Sequence, residues 1–250
     1  MNDMDASAWL RLHAPADAAE APMMQPLDRR PRILKHGDLF ALFDAHGDVD
    51  PTADAGAGLY LRDARRLSKL SLTLAGRAPV LLNSTVSIAT GMLDIHLTNP
   101  DIVEHGTLIL PRDVVHLRRS KYLSVTGSRE RIALRNFGFV PLELDVDLFF
   151  DVDFADIFEA RGFRRDARGA VATTLDGADA VRFVYDSADG EPRATRLAFS
   201  PAPHALGPRH ARWRVRLAPQ ARASLFVTVD CAGDGSRVDD PAFFHGLRAA

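Results

Sequence analysis

A single cysteine, Cys231, excludes an internal disulfide, so nothing in the sequence demands an oxidising compartment. It follows an alternating apolar run, where a small buried hydrophobe is expected, and no histidine stands close in sequence to activate it. No apolar run approaches the ~18 residues that a membrane-spanning helix needs. The N-terminus reads Met-Asn-Asp-Met-Asp, without a basic or apolar leader, and a cytoplasmic location is the expectation. Lysine is scarce, with only Lys35, Lys69 and Lys121 among 31 basic residues, which 33 acids balance to a net charge of −2. That balance gives no global basic surplus for nucleic acid. The nine histidines form no H-x-H, H-E-x-x-H or Cys–His cluster, and a lone one such as His96 reads as packed or surface. No metal and no cofactor is therefore expected. Gly56-Ala57-Gly58 lacks the third Gly of a dinucleotide fold and the Lys-Ser/Thr of a P-loop, so it reads as a flexible loop. The G-x-S-x-G elbow of α/β-hydrolases is missing as well.

Apolar residues at 46% and charged residues at 26% describe an ordinary folded chain. From Ile33 onward, short strands alternate with turns. Leu39–Phe43 precede Asp44-Ala45-His46-Gly47-Asp48, a strand and a turn with Gly where φ > 0 is needed. Leu70, Leu72 and Leu74 alternate with Ser71 and Thr73, and Ala75-Gly76 turns the chain. Leu142, Leu144, Val146, Leu148 and Phe150 form nine residues of period two. Trp213, Val215 and Leu217 alternate with Arg212, Arg214 and Arg216. Long helical periodicity is nearly absent, which argues against a parallel α/β sheet. The expected fold is all-β, an antiparallel β-sandwich over residues 31–235, preceded by a disordered arm over 1–30. At the other end, Asp239-Asp240-Pro241 followed by Phe243, Phe244 and Leu247 predicts the start of a helix over 236–250. It is expected to begin a linker toward an absent domain. The other reading is a short terminal helix packed back on the sheet.

Two stretches carry unusual charge. In Asp151–Gly162, Asp153, Asp156 and Glu159 recur every three residues around Phe154, Ile157 and Phe158. Paired carboxylates ~5–10 Å apart would suit glycoside hydrolysis. Nothing in the sequence separates their pKa values as that chemistry requires, so a structural knot is the favoured reading. Residues 143–159 hold seven acids and no base, while 192–229 hold seven arginines and no acid. Glu143, Asp145 and Asp147 are therefore expected to share a sheet face with Arg212, Arg214 and Arg216.

Four segments together resemble the N-terminal domain of bacterial and archaeal glycogen debranching enzymes of the amylo-α-1,6-glucosidase type. They are Gly58-Leu-Tyr-Leu-Arg-Asp-Ala-Arg-Arg-Leu-Ser68, continued by Leu72–Pro79, then Leu97–Asp101, Arg129–Gly138 and Asp153-Phe-Ala-Asp-Ile-Phe-Glu-Ala-Arg-Gly162. The last is similar to the family's D-F-A-D-L-F-E-V-R-G almost residue for residue. Ala64 departs from the family's Thr and Ala75 from its Asn. The resemblance, over about Ile33 to Val229, implies a supersandwich-like domain preceding an (α/α)6 barrel that holds the catalytic carboxylates.

The resemblance also implies that this chain is non-catalytic by itself and supports that helical-barrel domain in carbohydrate metabolism, in cis or as an adjacent chain. The motif residues are Arg62, Asp63, Arg65, Asn99, Glu130, Asn136, Asp153, Phe154, Asp156, Phe158, Glu159, Arg161 and Gly162. Their implied roles are structural or at the interface. α-Glucan is a second expected partner; nucleic acid and membrane are not. The alternatives are a free-standing carbohydrate-binding module and a protein-interaction module. Sugar stacking would draw on Trp9, Trp213, Tyr60, Tyr122 and Tyr185.

Overall fold

The computed structural model describes residues 9–13, 30–160, 162–163, 169–186, 193–231 and 240–249. Nineteen strands and two helices are found among them. The first half runs β1 (Leu10–Leu12), β2 (Arg32–His36), β3 (Leu39–Phe43), β4 (Gly58–Leu61), β5 (Ala64–Leu67), β6 (Lys69–Leu74), β7 (Val80–Ser87), β8 (Met92–Thr98), β9 (Ile102–Glu104) and β10 (Thr107–Leu110). It continues through β11 (Val115–Ser124), β12 (Gly127–Asn136), β13 (Leu142–Asp151) and the single turn α1 (Ile157–Ala160). The remainder is β14 (Ala170–Leu175), β15 (Ala180–Asp186), β16 (Arg193–Ser200), β17 (Ala205–Gly207), β18 (His210–Leu217), β19 (Arg222–Asp230) and α2 (Asp240–Ala249).

The largest sheet has eight strands in the order β14-β15-β16-β19-β12-β11-β8-β7. A second orders β1-β13-β18-β17, with β6 also on β13, and a third is the meander β2-β3-β4-β5. The period-two residues of β13 and β18 face the large sheet. Trp213 meets Phe199 edge-on at 5.4 Å and Phe150 lies 5.6 Å from the same ring, so aromatic contacts cross the sandwich directly. The Trp213 indole N–H donates to the Pro201 carbonyl at 2.9 Å, which satisfies its one buried polar atom. The all-β sandwich is what alternation at this spacing dictates.

The opposite face of β13 holds the anticipated ladder. Glu143 stands opposite Arg216, Asp145 opposite Arg214 and Asp147 opposite Arg212. The guanidinium Nε atoms donate to those carboxylates at 2.5, 3.3 and 2.6 Å. The acids are buried beneath the longer arginines, which cover them with their aliphatic stems. The hydrogen bond from Arg216 holds the Glu143 carboxyl below its ordinary value of 4.5. A carboxyl lowered on folding adds stability above its unfolded pKa and loses it as pH falls through the folded value. Urea unfolding from about pH 6 to about pH 2 is therefore expected to show a shallower acid-side loss in Glu143→Gln than in the wild type.

One feature departs from the sequence-based expectation. Within the arm assigned to residues 1–30, Leu10–Leu12 form β1, which pairs in parallel with Leu142–Leu144. The reason lies in β13, whose edge is covered by β6 only from Val146 onward. β1 completes that edge, and Leu12 enters the core. The rest of the arm, residues 1–8 and 14–29, lies outside the described residues. At the other end, α2 packs on the outer face of the large sheet. Phe243 is buried against Tyr122 and Phe226, with Leu247 beside them. Gly246 permits this approach, because a Cβ there would stand 2.3 Å from the Tyr122 hydroxyl.

Candidate functional site

The acidic motif follows β13 as a loop that zips onto the β4–β5 hairpin. Arg65 N–H donates to the Ala155 carbonyl at 2.8 Å and Ile157 N–H to the Asp63 carbonyl at 3.0 Å. Ala64 bridges Asp156 through backbone. This position acts by its main chain, so the missing Thr hydroxyl leaves the pairing intact. Arg62 and Asp63 form the exposed hairpin turn, with Arg62 in the left-handed region at φ 54°.

Arg65 is the hub. Its side chain is buried, and its Nε donates to Asp153 Oδ1 at 3.1 Å while Nη2 donates to Asp153 Oδ2. Nη1 donates to the carbonyls of Ala55 and Ala57 at 2.9 and 3.1 Å. One planar fork thus fastens two loops, a task that a lysine point charge would not perform. Gly58 makes room for it, since a Cβ there would lie 2.5 Å from Arg65 Cδ. The Gly56-Ala57-Gly58 stretch is therefore a packed wall around a guanidinium. It is not the freely flexible loop expected from sequence.

The three-residue recurrence of acids also finds its cause. Asp156 Oδ1 accepts from the N–H groups of Phe158 and Glu159, both at 2.8 Å, and Glu159 Oε2 accepts from Asp156 N–H at 3.0 Å. This reciprocal arrangement is a capping box on the single turn α1. Phe154 takes φ 51°, a conformation that costs a non-glycine residue ~1–2 kcal/mol. Its ring stacks on Tyr185 at 5.3 Å, and the Arg66 guanidinium lies 5.9 Å above it. All three carboxylates of the motif have structural partners, and the geometry builds no acid–base pair from them.

What the loop presents outward is apolar. Phe158 and Phe163 are 61% and 68% exposed and meet edge-to-face at 6.1 Å. Beside them, Phe40, Leu42, Gly56, Tyr60, Ile157 and Ala160 line a small cavity of about 80 Å³. Gly162 lies on the exposed stretch after α1, and Arg161 is outside the described residues. The loop thus gathers Arg62, Asp63, Arg65, Asp153, Phe154, Asp156, Phe158, Glu159 and Gly162 into one region.

The remaining motif residues lie elsewhere. Asn99 is buried and braces the β9–β10 excursion, donating to the Pro100 and Pro111 carbonyls at 2.8 Å each. Its oxygen accepts from Val114 and Val115 N–H at 3.0 and 2.7 Å. Asn136 does the same between β12 and β13, donating to the Val140 and Leu217 carbonyls at 2.8 and 3.2 Å. Glu130 belongs to a buried charge cluster that sequence reasoning missed. Arg119 Nε donates to Glu130 Oε1 at 2.6 Å, Lys121 Nζ donates to Glu130 Oε2, and Arg119 Nη1 donates to Asp48. Arg119 also donates to the His46 carbonyl at 2.9 Å. The 44–48 turn is packed inside the sandwich, where its polar groups need partners that water cannot supply. Gly47 has the anticipated positive φ, 78°. Burial pushes the Asp48 carboxyl up to about 6 and, with Arg119 adding repulsion, the Lys121 ammonium down to about 8. Such perturbed groups mark active sites when a cleft reaches them. Here each of the four charged residues is at most 3% exposed, and they act as an internal rivet.

Cys231 is buried, and burial pushes its thiol up to about 12, the environment of an inert core cysteine. Tyr60, Tyr122, Tyr185 and Trp213 are buried, which removes four of the five aromatic side chains considered for sugar stacking. Among the described residues, no group of three or more His, Cys, Asp or Glu is placed to hold a metal ion. No described helix is long and apolar enough to cross a membrane.

Solved structures superpose on this chain at low identity and with TM-scores below 0.5. A kojibiose phosphorylase-type protein from the human microbiome superposes with TM-score 0.47 at 8% identity, over 74% of this chain and 25% of its own. An aldose 1-epimerase-type protein from Escherichia coli K12 gives 0.43 at 9% identity, over 80% and 98% of the two chains. A galactose mutarotase-like protein from Lactobacillus casei gives 0.42 at 9% identity, over 80% and 99%. This chain thus spans a quarter of the phosphorylase-type protein's length. No curated protein matches. The family model for the N-terminal domain of some glycogen debranching enzymes matches residues 34–228. That span takes in the Arg65 hub, the capped loop and the Glu143–Arg216 ladder, and the chain belongs to this family of glycogen debranching enzyme N-terminal domains.

Proposed function

We propose that this chain is the non-catalytic supporting module of a debranching-type glycoside hydrolase acting in α-glucan metabolism. It braces a helical-barrel catalytic domain, present in cis or as an adjacent chain, through the loop 153–163. The observation that carries this reading is the division of labour within the motif. Its acids are consumed in fastening the loop, while Phe158 and Phe163 stand exposed side by side. Adjacent exposed aromatics on a rigidly held loop are the residues that anchor interfaces. α-Glucan contact then belongs to the assembled enzyme, because this domain's tyrosines and Trp213 are packed inside.

A glucose-release assay on a limit dextrin tests the catalytic half of the proposal. The purified chain is expected to release no glucose. Release that depends on Asp153, Asp156 or Glu159 would overturn the reading.

A further inference from the structure

The outer face of the eight-stranded sheet carries a groove of about 300 Å³, lined in part by Arg131, Ala133, Arg135 and Phe137 of the Arg129–Gly138 segment. Four consecutive strands build it. Register pairs His96 of β8 with Arg118 of β11, and Arg118 with Ala133 of β12, which faces Ser224 of β19. In the row beside it, His116 faces Arg135, and Arg135 faces Arg222. Arg131 adds a fourth guanidinium, Phe137 forms a wall, and Ala133, Ala223 and Ser224 keep the floor low.

The charge pattern is the opposite of the β13–β18 ladder. There every arginine faces an acid. Here Arg135 directly faces Arg222, a like-charge arrangement that destabilises a sheet. Among the described residues, no carboxylate lines the groove. Asp94, which is not a lining residue, is engaged by Arg118 Nε at 2.8 Å and lies 3.3 Å from His96 Nε2. Arg135 lies over the Phe137 ring at 4.2 Å, its Nη2 donates to Gln220 Oε1 at 3.4 Å, and its Nε is buried without a hydrogen-bond partner. His96 Nδ1 and His116 Nε2 stand 3.0 Å apart at the groove's other side. A local rule is broken here while the same chain obeys it one sheet away. Such breaks concentrate where function compensates for lost stability.

We propose that this groove binds a phosphate dianion, either free phosphate or the phosphate group of a small phosphomonoester. Guanidinium forks offer paired N–H donors that match phosphate oxygens, and Arg135 and Arg222 face each other across neighbouring strands in the groove wall. The volume admits a small phosphorylated metabolite and excludes a polymer chain buried end to end. The ligand would lie beside α2, since Arg131 sits 5.6 Å over the Phe244 ring. The site does not depend on the interface role of the loop 153–163, so either can fail alone.

The test is amide NMR titration of the full chain with inorganic phosphate, glucose 6-phosphate and glucose. Both phosphates are expected to shift amides of β11, β12 and β19 around the groove, and glucose is not. Tighter binding of the sugar ester identifies a phosphorylated sugar as the ligand; equal binding identifies free phosphate. Arg135→Gln and Arg222→Gln are each expected to weaken the titration about tenfold or more. Arg222 is exposed, so its variant keeps the test valid should Arg135→Gln misfold. Absence of shifts with either phosphate would overturn the proposal. So would affinity unchanged in Arg222→Gln, or a glutamate-rich peptide that binds the groove when phosphates do not.

Discussion

Glu130→Gln is expected to lower the unfolding free energy by about 3–5 kcal/mol, because it strips the charge partner from two buried cations. The cluster is balanced as built, with Arg119 and Lys121 against Asp48 and Glu130. Burial raises the Glu130 carboxyl, but attraction to Arg119 and then Lys121 outweighs it and leaves the carboxyl below its ordinary range. Glutamine retains the shape and loses that attraction. Lys121 Nζ also sits 5.0 Å over the Phe43 ring, a contact too weak to replace a carboxylate. The double variant Lys121→Met/Glu130→Leu removes one charge of each sign and keeps the Arg119–Asp48 pair. It is expected to be more stable than Glu130→Gln alone, a non-additivity that denaturant unfolding of both variants would read. Equal losses in the two would show that volume, not charge balance, governs the site.

Arg65→Met ranks second, with an expected loss of about 2–4 kcal/mol. The substitution leaves Asp153 and the carbonyls of Ala55 and Ala57 without their shared donor. The effect is weaker than at Glu130 because Asp153 is 27% exposed and water can reach it. Its signature is local. Hydrogen exchange at the amides of Phe158 and Glu159, which the Asp156 cap holds, is expected to accelerate more than exchange in β12. Uniform acceleration across the sandwich would contradict the hub role of Arg65.

The Glu143–Arg216 ladder was legible because both strands carry long period-two patterns with opposite charge in phase, and each of its three pairs lies in direct register. The spacing of Asp153, Asp156 and Glu159 favoured a structural knot over a catalytic pair, but the capping box itself lies in the N–H groups that Asp156 and Glu159 accept from. β1 was hidden, since three residues of alternation carry no signal and the pairing with β13 is remote in sequence. The rivet was hidden for another reason. Arg119 and Lys121 occupy the phase of Leu117 and Leu123 on β11, and only the buried 44–48 turn explains cations on a core face. The groove is a product of register. His96, His116, Arg135 and Arg222 come from four strands, and no linear motif joins them.

Sedimentation of this chain mixed with a debranching-type helical-barrel catalytic domain tests the supporting-module reading most directly. The account predicts a single one-to-one species. It also predicts that Phe158→Ser/Phe163→Ser leaves the thermal midpoint of this domain unchanged and abolishes that species. Two independently sedimenting components with the wild-type chain would contradict it.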